Sequence, residues 1–140
     1  MGFFHVCWVT NDGVYCHGGN ASGQLGDNTT VAKSSPTKIA FNFQFSKIAA
    51  GLNTTYAIGA LDGKIYSWGL NSTFGELCSW TNPTSARLVP LAAHGVLLNG
   101  TSATMIAAGV QFVVAVDALN LVWTCGRNDV GQLSMGDNNT

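Results

Sequence analysis

His5, Cys7, Cys16 and His17 are the densest group of thiol and metal-ligating side chains in the chain. Two chemistries suit such a group: ligation of a metal ion, or a disulfide between Cys7 and Cys16. Alternation along a strand puts residues 5 and 7 on one face but sends 16 and 17 to opposite faces. No C-x-x-C or H-x-x-x-H spacing supports ligation either, so no metal site is assigned. The two cysteines flank Asn11-Asp12-Gly13, a turn sequence. With Asn11-Asp12 as a two-residue loop, Cys7 and Cys16 lie directly opposite and close enough to bridge. With Asp12-Gly13 as the loop, Cys7 faces Gly18 and the pair reads as small buried hydrophobes. Cys78 and Cys125 show no partner pattern, which leaves free thiols or a pairing that spacing does not reveal.

Other candidate chemistry is thinner. Gly18 to Gly23 and Gly126 to Gly131 begin like phosphate loops, but continue Gln-Leu where a P-loop needs lysine and a hydroxyl. Their glycines instead suit turns, and Asn20, Asn71 and Asn128 sit at equivalent positions as turn-stabilising side chains. Asp12, Asp62 and Glu76 belong to turns, and His94 stands beside Gly95 with no carboxylate or nucleophile nearby. No catalytic residue and no cofactor is therefore assigned, and the chain reads as a non-enzyme. N-glycosylation acceptor tripeptides begin at Asn20, Asn28, Asn53, Asn71, Asn99 and Asn138. Turn-rich repeats also bring Asn beside Ser and Thr for backbone reasons. Phe74 and Trp80 fall in loop segments and are candidate exposed binding anchors. Trp8, Tyr15, Tyr56, Tyr66, Trp68 and Trp123 lie on strand segments and read as packing residues.

The elements that hold these residues follow from composition and repetition. The chain has 140 residues, is 46% hydrophobic and only 9% charged, and carries a formal net charge of -1. One domain is the natural reading at that length. The charge balance excludes a phosphate-neutralising surface for nucleic acid and a polybasic membrane anchor. The apolar run from Met105 to Val116 is too short to span a bilayer, so no membrane insertion is expected. No signal peptide is legible in residues 1–10. On this chain alone the localisation reads as cytoplasmic; a signal peptide upstream would make it extracellular.

Ile48-Ala49-Ala50-Gly51 recurs as Ile106-Ala107-Ala108-Gly109. Asp62-Gly63-Lys64-Ile65-Tyr66-Ser67-Trp68-Gly69 echoes Asp12-Gly13-Val14-Tyr15-Cys16-His17-Gly18, and Asn120 to Gly126 is a degenerate third copy. The tails Gly18 to Leu25, Gly69 to Leu77 and Gly126 to Leu133 match, the middle one being a residue longer. The repeat units run about 2–50, 51–108 and 109–140, the last incomplete. A period of 51 to 58 residues suits a four-stranded blade of a β-propeller. The fold class is all-β: a partial β-propeller, an open arc rather than a closed ring.

The run His5 to Gly13, followed by Val14 to Gly18 and Gly23-Gln24-Leu25-Gly26, resembles the regulator of chromosome condensation repeat. Ile-Ala-Ala-Gly leads into each new unit, and Trp68-Gly69 with Asn71 supplies the centre of the pattern. Departures are Thr54 and Phe112 at the histidine position, His17 and Cys125 at the tryptophan position, and an insertion between Cys78 and Ser102. The resemblance implies seven-bladed rings, so a chain of under three blades reads as a fragment. An open arc has exposed sheet edges and apolar faces, which favours self-association. The resemblance further implies a protein-protein interaction module, a scaffold or regulator whose partner is unknown. Its finer alternatives are guanine nucleotide exchange on a small GTPase and a glycosylated extracellular propeller domain. Secreted members of the family often carry cysteines where Cys7 and Cys16 stand, at a spacing one residue longer.

Overall fold

The computed structural model describes residues 2–42, 44–79, 85–93 and 100–134. They form ten strands: β1 (His5–Thr10), β2 (Gly13–Gly18), β3 (Lys33–Ile39), β4 (Phe45–Ala50), β5 (Thr54–Gly59), β6 (Ile65–Gly69), β7 (Arg87–Ala92), β8 (Ala103–Ala108), β9 (Phe112–Asp117) and β10 (Val122–Gly126). They pair only antiparallel, into three sheets ordered β1-β2-β3, β4-β5-β6-β7 and β8-β9-β10. No ring closes among the described residues; the sheets form an open, partial propeller.

The sheets and the sequence units are offset by one strand. Ile48-Ala49-Ala50 closes the first sequence unit, yet β4 pairs with β5 of the next. The three sheets are otherwise superposable in register. His5 pairs with Gly18, Thr54 with Gly69 and Phe112 with Gly126. The glycine of each pair has φ between +101 and +111, and a Cβ on it would come within 2.5 Å of a backbone carbonyl of the facing strand's lead-in. That close approach, not flexibility, is why glycine ends each second hairpin strand.

The core lies between sheets. Cys7, Val14, Cys16, Leu25, Ile39, Phe45, Ala57 and Trp68 fill the first interface. Tyr56, Ile58, Ile65, Cys78, Ala93, Ala103, Val113 and Ala115 fill the second. Strand β5 belongs to the middle sheet and is buried at every residue, with Ala57 facing one cluster while Tyr56 and Ile58 face the other. The alternating burial of β1, β2 and β9 marks strands with one covered face. The outermost strands β3 and β7 carry Pro36 and Pro90, which cannot donate to a further strand. Trp8 does not enter either cluster; it stacks on Tyr15 at 6.0 Å between centroids, on the outer face of the first sheet.

Candidate functional site

At the end of the sheets where His5, Thr54 and Phe112 begin their strands, two families of loops come together. Short lead-ins at 2–4, 51–53 and 109–111 lie side by side: Phe3 N–H donates to Gly51 O and Leu52 N–H to Val110 O. Longer arches leave β2, β6 and β10 over these lead-ins, fixed by Gly19 N–H to Phe4 O, Leu70 N–H to Asn53 O and Arg127 N–H to Gln111 O.

Each arch is held by the same polar residues. Asn20, Asn71 and Asn128 are buried, and their Oδ1 atoms accept from the backbone N–H of Leu25, Leu77 and Leu133 at 2.9, 3.2 and 2.9 Å. Gln24 Oε1 accepts from Ser22 N–H, Glu76 Oε2 from Ser72 N–H and Gln132 Oε1 from Val130 N–H. The arches end in matching turns, Gly26 N–H to Gly23 O, Cys78 N–H to Gly75 O and Ser134 N–H to Gly131 O. These bonds satisfy backbone groups that would otherwise be stranded away from water.

The arches also bind the next sheet. Gln24 Nε2 donates to Asn53 Oδ1 across the first interface, and Gln111 Nε2 donates to Glu76 Oε1 across the second. Thr55 Oγ1 donates to Gln24 O and accepts from His5 Nε2, both at 2.7 Å. His5 is buried, and burial pulls its imidazole down to about 4. Its neutral ring is therefore a structural tie between sheets.

A third contact differs in chemistry between the two interfaces. At the first, the Trp68 indole lies across Gly26, so close that a Cβ there would be 2.7 Å from Nε1. At the second, the same positions hold Cys78 and Cys125, and their sulfurs are bonded. The equivalence is set by the arch turns for Gly26 and Cys78, and by the pairings Trp68 with Thr55 and Cys125 with Val113. Cys78 has φ +54 and Gly26 φ +81, both left-handed.

The sequence-derived candidates fall as follows. The β1–β2 register has Thr10 opposite Gly13 and Cys7 opposite Cys16, so Asn11-Asp12 is the loop, and the Cys7 and Cys16 sulfurs are bonded. Cys78 and Cys125, left open by their spacing, are joined to each other: the arch after β6 meets β10 of the neighbouring sheet, 47 residues on. Asn20 and Asn71 are buried, Asn53 is half-buried and Asn28 is exposed. Phe74 is half-buried beneath the Arg127 guanidinium, 5.0 Å from its ring centroid. Trp80, His94, Asn99 and Asn138 lie outside the described residues. Asp12 and Asp62 accept hydrogen bonds from the Tyr15 and Tyr66 hydroxyls, which latch their hairpins. Hydrogen bonds from Thr10, Tyr15 and Lys38 hold the Asp12 carboxyl at about 2.

Sequence reasoning missed the lead-in loops as a surface. Phe3 is 74% exposed, Phe4 60% and Val110 47%, with Leu52 half-buried between them. Phe3, Leu52 and Val110 hold the same place in three successive lead-ins, the residue after Gly2, Gly51 and Gly109. The available signal was an apolar residue after each of these glycines. At the opposite end, a cleft of about 720 Å³ opens between Thr10–Gly13 and the 38–46 segment. Its charged groups, Asp12 and Lys38, are already paired at 3.1 Å.

Residues 11–58 match the regulator of chromosome condensation (RCC1) repeat. The chain is 29% identical over 139 residues to human E3 ubiquitin-protein ligase HERC2, covering 96% of this chain and 3% of that protein. It is 30% identical over 134 residues to the Arabidopsis thaliana ultraviolet-B receptor UVR8, covering 94% of this chain and 29% of the receptor. Among solved structures it is similar to Prp20p from Saccharomyces cerevisiae, described with its binding to Gsp1p and histones. The TM-score is 0.83 at 21% identity, over 99% of this chain and 35% of that one. The chain thus spans under a third of HERC2 and of UVR8.

Proposed function

We propose that this chain, built as it is of regulator of chromosome condensation repeats, is a non-enzymatic protein-interaction module. Its contact surface is the lead-in row Phe3, Leu52 and Val110 with Phe4 beside it. One observation carries the reading: the repeated polar residues of the arches are committed to the fold, while this row leaves large apolar side chains in water. Exposed aromatic and aliphatic groups in a row, rimmed by polar backbone, have the character of a protein-binding patch. Prp20p is described with Gsp1p and histones, so a small GTPase of that class and histones are the first partners to try. Guanine nucleotide exchange is the finer form of the same reading.

The test titrates both partners against the wild-type chain and a Phe3→Asp/Val110→Asp variant. Both side chains are exposed, so the variant keeps its backbone bonds. Binding that weakens at least about tenfold in the variant supports the row as the surface. Equal binding by both proteins removes it.

A second reading is favoured by the cysteines. All four are paired, Cys7 with Cys16 and Cys78 with Cys125. Disulfides persist in oxidising compartments and are rare in the cytosol. This supports a propeller domain that matures in the secretory pathway and presents the same surface outside the cell. Thiol titration of the denatured, unreduced protein tests it: no free thiol supports the reading, four remove it.

A further inference from the structure

We propose that Asn28 is an N-glycosylation site, on the outer rim at the seam between the first two sheets; this rests on the secretory-pathway reading above. A usable acceptor must offer both the asparagine amide and the hydroxyl two residues on, and the fold must then tolerate a bulky sugar there.

The fold sorts the acceptor tripeptides of the described residues sharply. Asn20 Nδ2 is buried and donates to Asp27 Oδ1, Thr29 O, Thr29 Oγ1 and Val31 O at 3.0–3.2 Å. A sugar on that nitrogen would displace the arch. Asn71 is likewise buried, with Oδ1 on the Leu77 N–H. Asn53 is half-buried and bridged to Gln24, and the hydroxyl of its tripeptide, Thr55, is fully buried between His5 and Gln24. Asn28 alone of these presents both groups, since Asn28 and Thr30 are both exposed. It stands in a turn at φ +61, a conformation asparagine tolerates well. Its backbone N–H is tied to Leu88 O of β7, which anchors the turn while the side chain faces solvent.

The reaction needs a polyprenyl-pyrophosphate oligosaccharide donor and its membrane transferase. The Asn28 Nδ2 forms a bond to the anomeric carbon of the donor's terminal N-acetylglucosamine. The bond from that carbon to the phosphate oxygen breaks, the polyprenyl pyrophosphate departs, and one Nδ2 proton is lost; no electrons change hands. The sugar would stand beside β7, whose Leu88 O holds the Asn28 turn.

The experiment secretes the chain from a eukaryotic host behind a heterologous signal peptide, then maps disulfides and peptide N-glycosidase F conversion of Asn to Asp. The expected result is conversion at Asn28 and none at Asn20, Asn53 or Asn71, with both disulfides present. Asn28→Gln and, independently, Thr30→Val should each abolish that conversion; the second leaves the turn residue in place. Both disulfides present with Asn28 unconverted overturns the site alone. Four free thiols in the secreted protein overturn the secretory reading, and the site with it.

Discussion

Replacing Cys78 with glycine and Cys125 with tryptophan should give a second interface held as the first one is. In the first interface Trp68 is fully buried and lies across Gly26; in the second, the matching residues are disulfide-bonded. Closing a loop between residues 47 apart removes chain entropy from the unfolded state worth about 4 kcal/mol. Truncating a buried tryptophan costs about 3–5 kcal/mol, so the two solutions are of similar size. The new indole would meet a smaller neighbour than Trp68 does, because Ala103 occupies in β8 the place that Phe45 occupies in β4, beside Trp68. Glycine at 78 also suits the left-handed backbone better than cysteine does. Urea unfolding midpoints, with and without dithiothreitol, separate the cases. The double alanine variant of Cys78 and Cys125 should lose about 4 kcal/mol, while the Gly/Trp exchange stays within about 1–2 kcal/mol of the oxidised parent. Reduction opens Cys7–Cys16 in both proteins, a nine-residue separation worth about 2.6 kcal/mol. The parent should lose both contributions on reduction and the exchanged chain only the smaller one. An exchanged chain as unstable as the double alanine variant would refute the equivalence, and a parent indifferent to reductant would refute the bond.

Acid should unfold the protein partly through His5. Its folded value of about 4 lies below the ordinary 6.5, so the unfolded chain binds more protons between those values. Stability is full above about pH 6.5 and falls by about 3 kcal/mol as the pH drops to about 4. His5→Gln, which keeps a donor for Thr55, should flatten that part of the pH profile of the unfolding midpoint; an unchanged slope sinks the assignment. Two glycines with left-handed backbones should respond differently to alanine. Gly75 has φ +65 and open space around it, so Gly75→Ala should cost about 1 kcal/mol. Gly69→Ala adds a Cβ 2.3 Å from Asn53 O and should cost at least about 3 kcal/mol by thermal unfolding.

How much of this was legible beforehand depended on whether a contact is local. The hairpins, the repeated asparagines and the all-β class follow from short-range pattern, and the sheets carry them. The Cys7–Cys16 question reduced to which two residues make one turn, and the register answered it with Asn11-Asp12. Cys78–Cys125 was opaque for a physical reason: the contact joins an arch to the neighbouring sheet. The extra residue in the middle arch also hid the match between Cys78 and Gly26. Phe74 shows the same limit, since the Arg127 that covers it comes from the next arch. The acceptor tripeptides were ambiguous because one residue type serves two ends, and only burial distinguishes Asn20 from Asn28.

The interfaces are also individual rather than interchangeable, which bears on how copies of the chain can meet. The residue before each strand lead, Phe4, Asn53 or Gln111, faces the glutamine or glutamate of the preceding arch where one is present. Gln24 finds Asn53, and Glu76 finds Gln111. The third arch ends with Gln132, whose Nε2 turns back to Asp129 of its own arch. Head-to-tail stacking of two copies would set Gln132 against Phe4, which has no side-chain acceptor, and Ser134 against His17 in place of Gly26 under Trp68 or a disulfide. Gln132 would keep its bonds to Asp129 and Val130 inside its own arch, so that register would lack the cross-seam side-chain bond that Gln24 and Glu76 each make. Any pairing of copies through the apolar faces of the open arc would therefore form without the polar tie that marks the two native seams, and specificity for the native neighbours would come from the arches.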